Sequence, residues 1–119
     1  MKYVLMFAGS VADQEAWDNL PKEQLAAAYE RVNGWFEENS KAGRIVGGEE
    51  LRGPSSSTTV RIKDGKAIVT DGPFIEAKEV IGGFAVVEVK DLDEALAMAK
   101  AWPGGGIVEV RPVVDHSNG

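Results

Sequence analysis

Apolar residues recur along this chain with two different periods, which predict strands and helices in a definite order. Residues 2–8 are apolar on both alternating faces, as expected of a strand that is covered on both sides. Residues 21–42 show the 4-3-4 spacing of an amphipathic helix, with an apolar stripe at Leu25, Tyr29, Val32 and Phe36. Gly43 is suited to end this helix in a left-handed conformation. Residues 13–17 are expected to form a short turn of helix before it.

The middle of the chain carries a strong hairpin signal. Residues 58–63 and 66–70 flank Asp64-Gly65, a two-residue turn of type I′. In that register Val60 faces Val69 and Ile62 faces Ala67. The same alternation places Asp71 on this apolar face, so we expect its carboxylate to point inward rather than to bulk water.

The remaining elements complete a recognisable order. Strands are predicted at residues 44–51, 80–89 and 107–113, with Gly82-Gly83 as a bulge or close-contact site. Asp91 and Glu94 form a capping-box arrangement at the start of a second long helix. Gly34, in the middle of the first long helix, suggests close packing there because glycine costs about 1 kcal/mol against alanine. Gly104-Gly105-Gly106 precedes a strand and is expected to be a loop.

The order β-α-β, hairpin, β-α-β predicts an α+β fold with a ferredoxin-like antiparallel sheet and both helices on one face. Residues 1–114 are expected to form a single domain, and residues 115–119 a flexible tail. Several strands are apolar on both sides, whereas the helices can cover only one face of the sheet. A second copy of the same sheet is the economical cover, so we expect a homodimer.

Composition narrows the possible chemistry. The chain has no cysteine, which excludes disulfides, thiolate nucleophiles and cysteine-ligated metals, and its single histidine, His116, lies in the tail. We therefore expect no metal site and no bound cofactor. The net charge of −6 opposes binding to nucleic acid. No apolar run is long enough for a membrane span or a signal peptide, so a cytoplasmic location is expected.

The segment Asp71-Gly72-Pro73-Phe74, within residues 69–79, resembles the hallmark of the DGPF branch of the YCII-related family. The resemblance continues at residues 1–3, 47–49, 81–84, 91–96 and 108–113. It implies a dimeric α/β barrel in which two ferredoxin-like sheets face each other, and it implies little about activity. The histidine–aspartate pair of the wider family has no counterpart histidine near the first long helix here. Some relatives are similar to accessory proteins encoded beside extracytoplasmic-function sigma factors.

Two interpretations are open for the conspicuous side chains. Asp71 can be a general base in a cleft to which Phe74, Lys78 and Glu79 contribute, or the segment can be a tight turn beside a surface ion-pair cluster. Three tryptophans and a tyrosine can line an apolar pocket or belong to the core or a dimer contact: Trp17, Trp35, Trp102 and Tyr29. Glu109 and Arg111 share a strand face, where they can meet a ligand or each other.

Two functions follow. The first is a small-molecule-binding homodimer with a cleft near Asp71, in which any reaction would be metal-free carboxylate acid–base chemistry with Asp71 as the proton acceptor. The second is a non-catalytic regulatory or interaction protein, for example one associated with an extracytoplasmic-function sigma factor.

Overall fold

A computed structural model describes residues 1–73 and 78–117 of the 119-residue chain. The helices are α1 (Val11–Asp18), α2 (Lys22–Lys41) and α3 (Leu92–Lys100), and one short 3-10 turn lies at Pro54–Ser56. The strands are β1 (Lys2–Ser10), β2 (Ile45–Glu50), β3 (Thr58–Lys63), β4 (Lys66–Asp71), β5 (Glu79–Glu88) and β6 (Ile107–Pro112).

The main sheet has the order β2-β5-β1-β6, and each of its three pairings is antiparallel. With β3 and β4 set aside as an inserted hairpin, this is the ferredoxin-like arrangement, and the predicted α+β class is confirmed. The register of β1 against β5 shifts after Phe7, which pairs with Gly83, while Ala8 pairs with Ile81. Gly82 is the residue skipped, so the predicted bulge is confirmed.

One face of the sheet packs against the helices and forms the core. Tyr3, Leu5 and Phe7 alternate along β1 toward this face and are buried. Their neighbours in the core include Ala85 and Val87 from β5, Trp35 from α2, and Ala95 and Met98 from α3. Leu5 and Val87 are the largest fully buried side chains. Each contributes roughly 1.5–3 kcal/mol relative to an exposed side chain.

The opposite face of the sheet is covered less well. Val4 and Met6 of β1 point to it, as do Phe84 and Val86 of β5, and all four are only half-buried. This face matches the sequence expectation that the helices cover one side of the sheet and leave the other apolar.

The helix ends agree with the sequence signals in most details. Gly43 follows Ala42, the C-cap of α2, and has φ 76°, as predicted. Asp91 caps α3 by accepting a hydrogen bond from the Glu94 backbone N–H at 2.9 Å. The Glu94 carboxylate accepts from the Lys90 backbone N–H, one residue before the expected cap position. The expectation for Gly34 was wrong: a Cβ placed there would meet nothing within 4 Å, so packing does not require a glycine.

The hairpin β3–β4 forms a separate two-stranded sheet with the predicted register, in which Val60 pairs with Val69. Asp64 and Gly65 both have positive φ, 53° and 77°, as a type I′ turn requires. The expectation that Asp71 points inward was wrong, because Asp71 is exposed. Strand alternation assigned Asp71 to the correct face of the hairpin, but the hairpin stands apart from the core and no other described element covers that face.

Candidate ligand-binding cleft

A cleft of about 470 Å³ lies on the helix side of the sheet, where β1 ends and β5 begins beside the bulge. Helices α1 and α2 form one wall, and the glycine loop before β6 forms another. The side chains and backbone that line it include Phe7, Ser10, Asp13, Trp17, Leu20, Tyr29, Val32, Phe36, Glu50, Gly82, Trp102, Gly104, Gly105 and Gly106. The size suits a small organic molecule.

Local hydrogen bonds fix helix α1 at the rim of this cleft. Ser10 is both the last residue of β1 and the N-cap of α1. Its hydroxyl accepts from the Asp13 backbone N–H at 3.0 Å, and the Asp13 carboxylate accepts from the Ser10 backbone N–H at 2.9 Å. The Val11 N–H donates to the Lys78 carbonyl at 3.1 Å. The chain therefore passes from strand to helix without an intervening loop, which holds the rim in place.

A rigid aromatic cluster forms the floor. The rings of Phe7 and Trp102 are stacked, with centroids 3.8 Å apart. Gly104 also lies against Trp102, because a Cβ added at Gly104 would be only 2.7 Å from the indole ring. Trp35 meets Trp102 edge to face at 5.1 Å, is 5% exposed, and donates its indole N–H to the Met98 carbonyl at 3.2 Å. Trp35 is therefore a core residue, while Trp102 is shared between core and cleft.

A tyrosine–carboxylate pair lies on the wall. The Tyr29 hydroxyl is 2.9 Å from each carboxylate oxygen of Glu50. Trp17 packs edge to face against Tyr29, with ring centroids 5.2 Å apart. Partial burial, followed by the hydrogen bond and negative charge of Glu50, raises the pKa of Tyr29 above its ordinary value of 10.0, and the nearby Trp17 side chain opposes this rise. Tyr29 is therefore protonated at neutral pH and serves as the donor to Glu50.

The charge of the cleft has one sign. Among the described residues that line it, the ionised side chains are the acids Asp13, Glu49 and Glu50, and none is lysine, arginine or histidine. Glu49 pairs with Phe84 and Glu50 with Gly83, so strand alternation directs the Glu49 side chain to the opposite face of the sheet. Asp13 and Glu50 are then the carboxylates on the cleft side.

The residues predicted for the site do not converge on this cleft. Asp71 ends β4 opposite Thr58 and is not among the cleft's lining residues. Lys78 is exposed and contributes its carbonyl to the start of α1. Glu79 and Pro73 line a wider groove on the opposite, apolar face of the sheet. Phe74 lies outside the described residues.

Of the four aromatic residues considered in the sequence, three line the cleft: Trp17, Tyr29 and Trp102. Trp35 belongs to the core. The pocket interpretation therefore holds for three of these residues and the core interpretation for one. The Arg111 guanidinium donates to both oxygens of Glu109 at 2.9 and 3.0 Å, so these two side chains meet each other. Glu50 was missed. Its sequence signal is weak, because it follows two glycines and a register shift in β2, where the alternation has few apolar markers.

Within residues 1–73 and 78–117 no three histidine, aspartate or glutamate side chains come together as a metal would require. In the same part of the chain, no helix combines the length and apolar character needed to cross a bilayer.

The fold and the cleft together define a ferredoxin-like α+β domain with an aromatic pocket at one end of its sheet. The chain belongs to the YCII-related domain family, which it matches over residues 1–117. It is 31% identical over 123 aligned residues to an uncharacterized protein of Rhizobium meliloti (strain 1021), and the alignment covers 100% of this chain and 97% of that relative. The resemblance to the YCII-related family is thus confirmed, and the relative's description assigns no activity.

Proposed function

We propose that this protein binds a small organic molecule in the cleft between α1, α2 and the end of the sheet. The observation that carries the proposal is the cleft itself: about 470 Å³ beside a rigid aromatic floor, with one polar pair, Tyr29 and Glu50, on its wall. Apolar walls with a few placed polar groups are typical of small-molecule sites, since the walls supply affinity and the polar groups supply orientation.

Support for ligand binding differs between the two candidate locations. A groove lies near Asp71, lined by its strand partner Thr58 with Pro73 and Glu79, but Asp71 itself is exposed and is not among the groove's described lining residues. The aromatic cleft has a packed floor and a rim fixed by a capping box. Its carboxylate with a hydrogen-bonding partner is Glu50, so acid–base chemistry, if turnover is found, would use Glu50 rather than Asp71.

The proposal is tested with N-phenyl-1-naphthylamine, a neutral probe whose fluorescence rises in apolar sites. Gly82→Leu should abolish the signal, because a Cβ at Gly82 meets nothing within 4 Å and the longer side chain can enter the cleft. Gly34→Leu is the matched control, since it also meets nothing and is not among the cleft's lining residues. Equal probe binding by wild type and Gly82→Leu would reject the cleft as the binding site.

We also propose that the protein is a homodimer. The apolar face of the sheet, with Val4, Met6, Phe84 and Val86 half-buried, supports this, because a second sheet would remove it from water. The hairpin adds support: Val60, Ile62, Ile68 and Val69 are all more than half exposed, and a two-stranded hairpin alone is marginally stable. Light scattering should give twice the mass of one chain at micromolar concentration. The mass of a single chain would contradict the dimer.

A second candidate function, a non-catalytic interaction protein, is favoured by the same exposed hairpin. One experiment distinguishes the two functions, because the Ile62→Lys substitution changes the hairpin near its turn and leaves the cleft intact. If the Ile62→Lys variant is still a dimer and the wild-type protein does not bind the fluorescent probe, the second function is favoured. If the wild-type protein and the variant both bind the probe, the first function is supported.

A further inference from the structure

We infer that the ligand of the cleft is an organic cation, a substituted amine or quaternary ammonium that carries an apolar group. This inference rests on the proposed function and specifies its ligand class. Two features of the cleft support this inference: its charged residues are all acidic, and its walls are aromatic. Neither feature alone would select an organic cation.

The charged side chains of the cleft are the first feature that selects its ligand. Glu50 and Asp13 place two carboxylates on the cleft side, and the described lining residues include no basic side chain to neutralise them. Each carboxylate is already hydrogen-bonded, Glu50 by Tyr29 and Asp13 by a backbone N–H, but both donors are neutral. Both carboxylates are exposed, and no basic residue among the described lining residues neutralises their charge. An anionic ligand would be repelled, and a cationic ligand attracted, by an amount that falls as salt increases.

The aromatic side chains of the cleft favour a cation independently of the acidic residues. Trp17, Tyr29 and Phe36 line the same space and are half-buried, so part of each ring is open to the cleft. Aromatic faces attract ammonium groups through the ring quadrupole, and this attraction extends to methylated and quaternary ammonium groups. The Glu50 hydrogen bond also draws electron density toward the Tyr29 ring, which strengthens this attraction.

The geometry favours an organic cation over a metal ion. A hard metal ion needs several oxygen ligands at short distance, and the part of the chain that the structure describes brings no three acidic or histidine side chains together. The cleft instead offers apolar and aromatic surface beside the Glu50 carboxylate, which suits a cation that is itself largely apolar.

The experiment compares two ligands that differ by one atom: benzyl(2-hydroxyethyl)dimethylammonium and its carbon isostere, 3,3-dimethyl-4-phenylbutan-1-ol. Isothermal titration at low salt should show the cation binding about tenfold more tightly than the alcohol. Glu50→Gln and Trp17→Leu should each reduce this preference to about threefold or less, with the fold checked by circular dichroism. Glu30→Gln is the matched control, because this exposed carboxylate of α2 is not among the cleft's lining residues, and it should retain the full preference.

The outcomes separate this inference from the proposed function. If both ligands bind equally well and Gly82→Leu abolishes both, the cleft is a binding site but the cation class is wrong. If the cation's preference persists unchanged in Glu50→Gln and in Trp17→Leu, the inference is also wrong, since neither feature that carries it is used. If neither ligand binds and the neutral fluorescent probe does not either, the proposed function fails as well.

Discussion

The glycine loop before β6 offers a quantitative test of how the cleft wall is built. Gly105 and Gly106 have nearly the same backbone conformation, with φ 71° and 75°. They differ in what an added methyl group would meet. At Gly105 a Cβ has nothing within 4 Å, whereas at Gly106 it would lie 2.4 Å from the Ala8 carbonyl oxygen. Alanine at the two positions therefore shares the conformational strain and differs in the steric clash.

The expected magnitudes follow from these two terms. Left-handed backbone costs an alanine roughly 1–2 kcal/mol, and this applies to both variants. A carbon–oxygen contact normally needs about 3.3 Å, so Gly106→Ala must move the loop or the end of β1 by about 1 Å. Forcing an extra methyl group into a packed site costs about 1–3 kcal/mol more. We expect Gly106→Ala to be less stable than Gly105→Ala by that amount.

Urea unfolding at one fixed protein concentration measures this difference, because dimer formation would make stability depend on concentration. With a slope of about 1–3 kcal/mol/M, the midpoint of Gly106→Ala should lie roughly 1 M below that of Gly105→Ala. Equal midpoints for the two variants would refute the close approach of the loop to β1, and with it the described shape of the cleft wall.

Three further predictions concern single residues elsewhere. Gly34→Ala should raise the free energy of unfolding by about 0.5–1 kcal/mol, because it fills no occupied space and restricts the unfolded chain; a urea midpoint below wild type would contradict this. Because the pKa of Tyr29 is raised in the folded protein, its contribution to the free energy of unfolding is complete below pH 10 and is lost as the pH rises through the higher folded value. Between pH 8 and pH 11 the wild-type protein should therefore lose more stability than Tyr29→Phe. Equal losses for the two proteins would exclude a Tyr29 contribution. Asp71→Asn should change probe affinity by less than about twofold and stability by less than about 0.5 kcal/mol, since the side chain is exposed; a large loss of binding, measured by fluorescence titration, would restore Asp71 to the site.

The sequence predicted the elements of this fold because their determinants are local. Asp64-Gly65 favours a type I′ hairpin turn, and this turn fixes the strand register that pairs Val60 with Val69. Apolar spacing located α2, and Gly43 marked its end. The order of these elements predicted the ferredoxin-like sheet, and the family resemblance implied the same topology.

The cleft was harder to predict because it depends on which surfaces meet. Alternation shows which residues share a face of the hairpin but not whether anything covers that face, and this is why Asp71 was placed inward. The pair of Tyr29 and Glu50 lies 21 residues apart on α2 and β2, and only the packing of helix on sheet brings the two together. Trp35 and Trp102 are of one residue type, but their burial differs because only Trp102 sits at the edge of the core.

The three tryptophans allow the most direct measurement of the central claim, that the cleft binds a small molecule. Each indole N–H gives its own nuclear magnetic resonance signal, and Trp17 and Trp102 line the cleft while Trp35 is buried with its N–H bonded to Met98. Titration with N-phenyl-1-naphthylamine should shift the signals of Trp17 and Trp102 and leave that of Trp35 least changed. Binding of the probe with all three indole signals unmoved would place the ligand elsewhere and contradict the account.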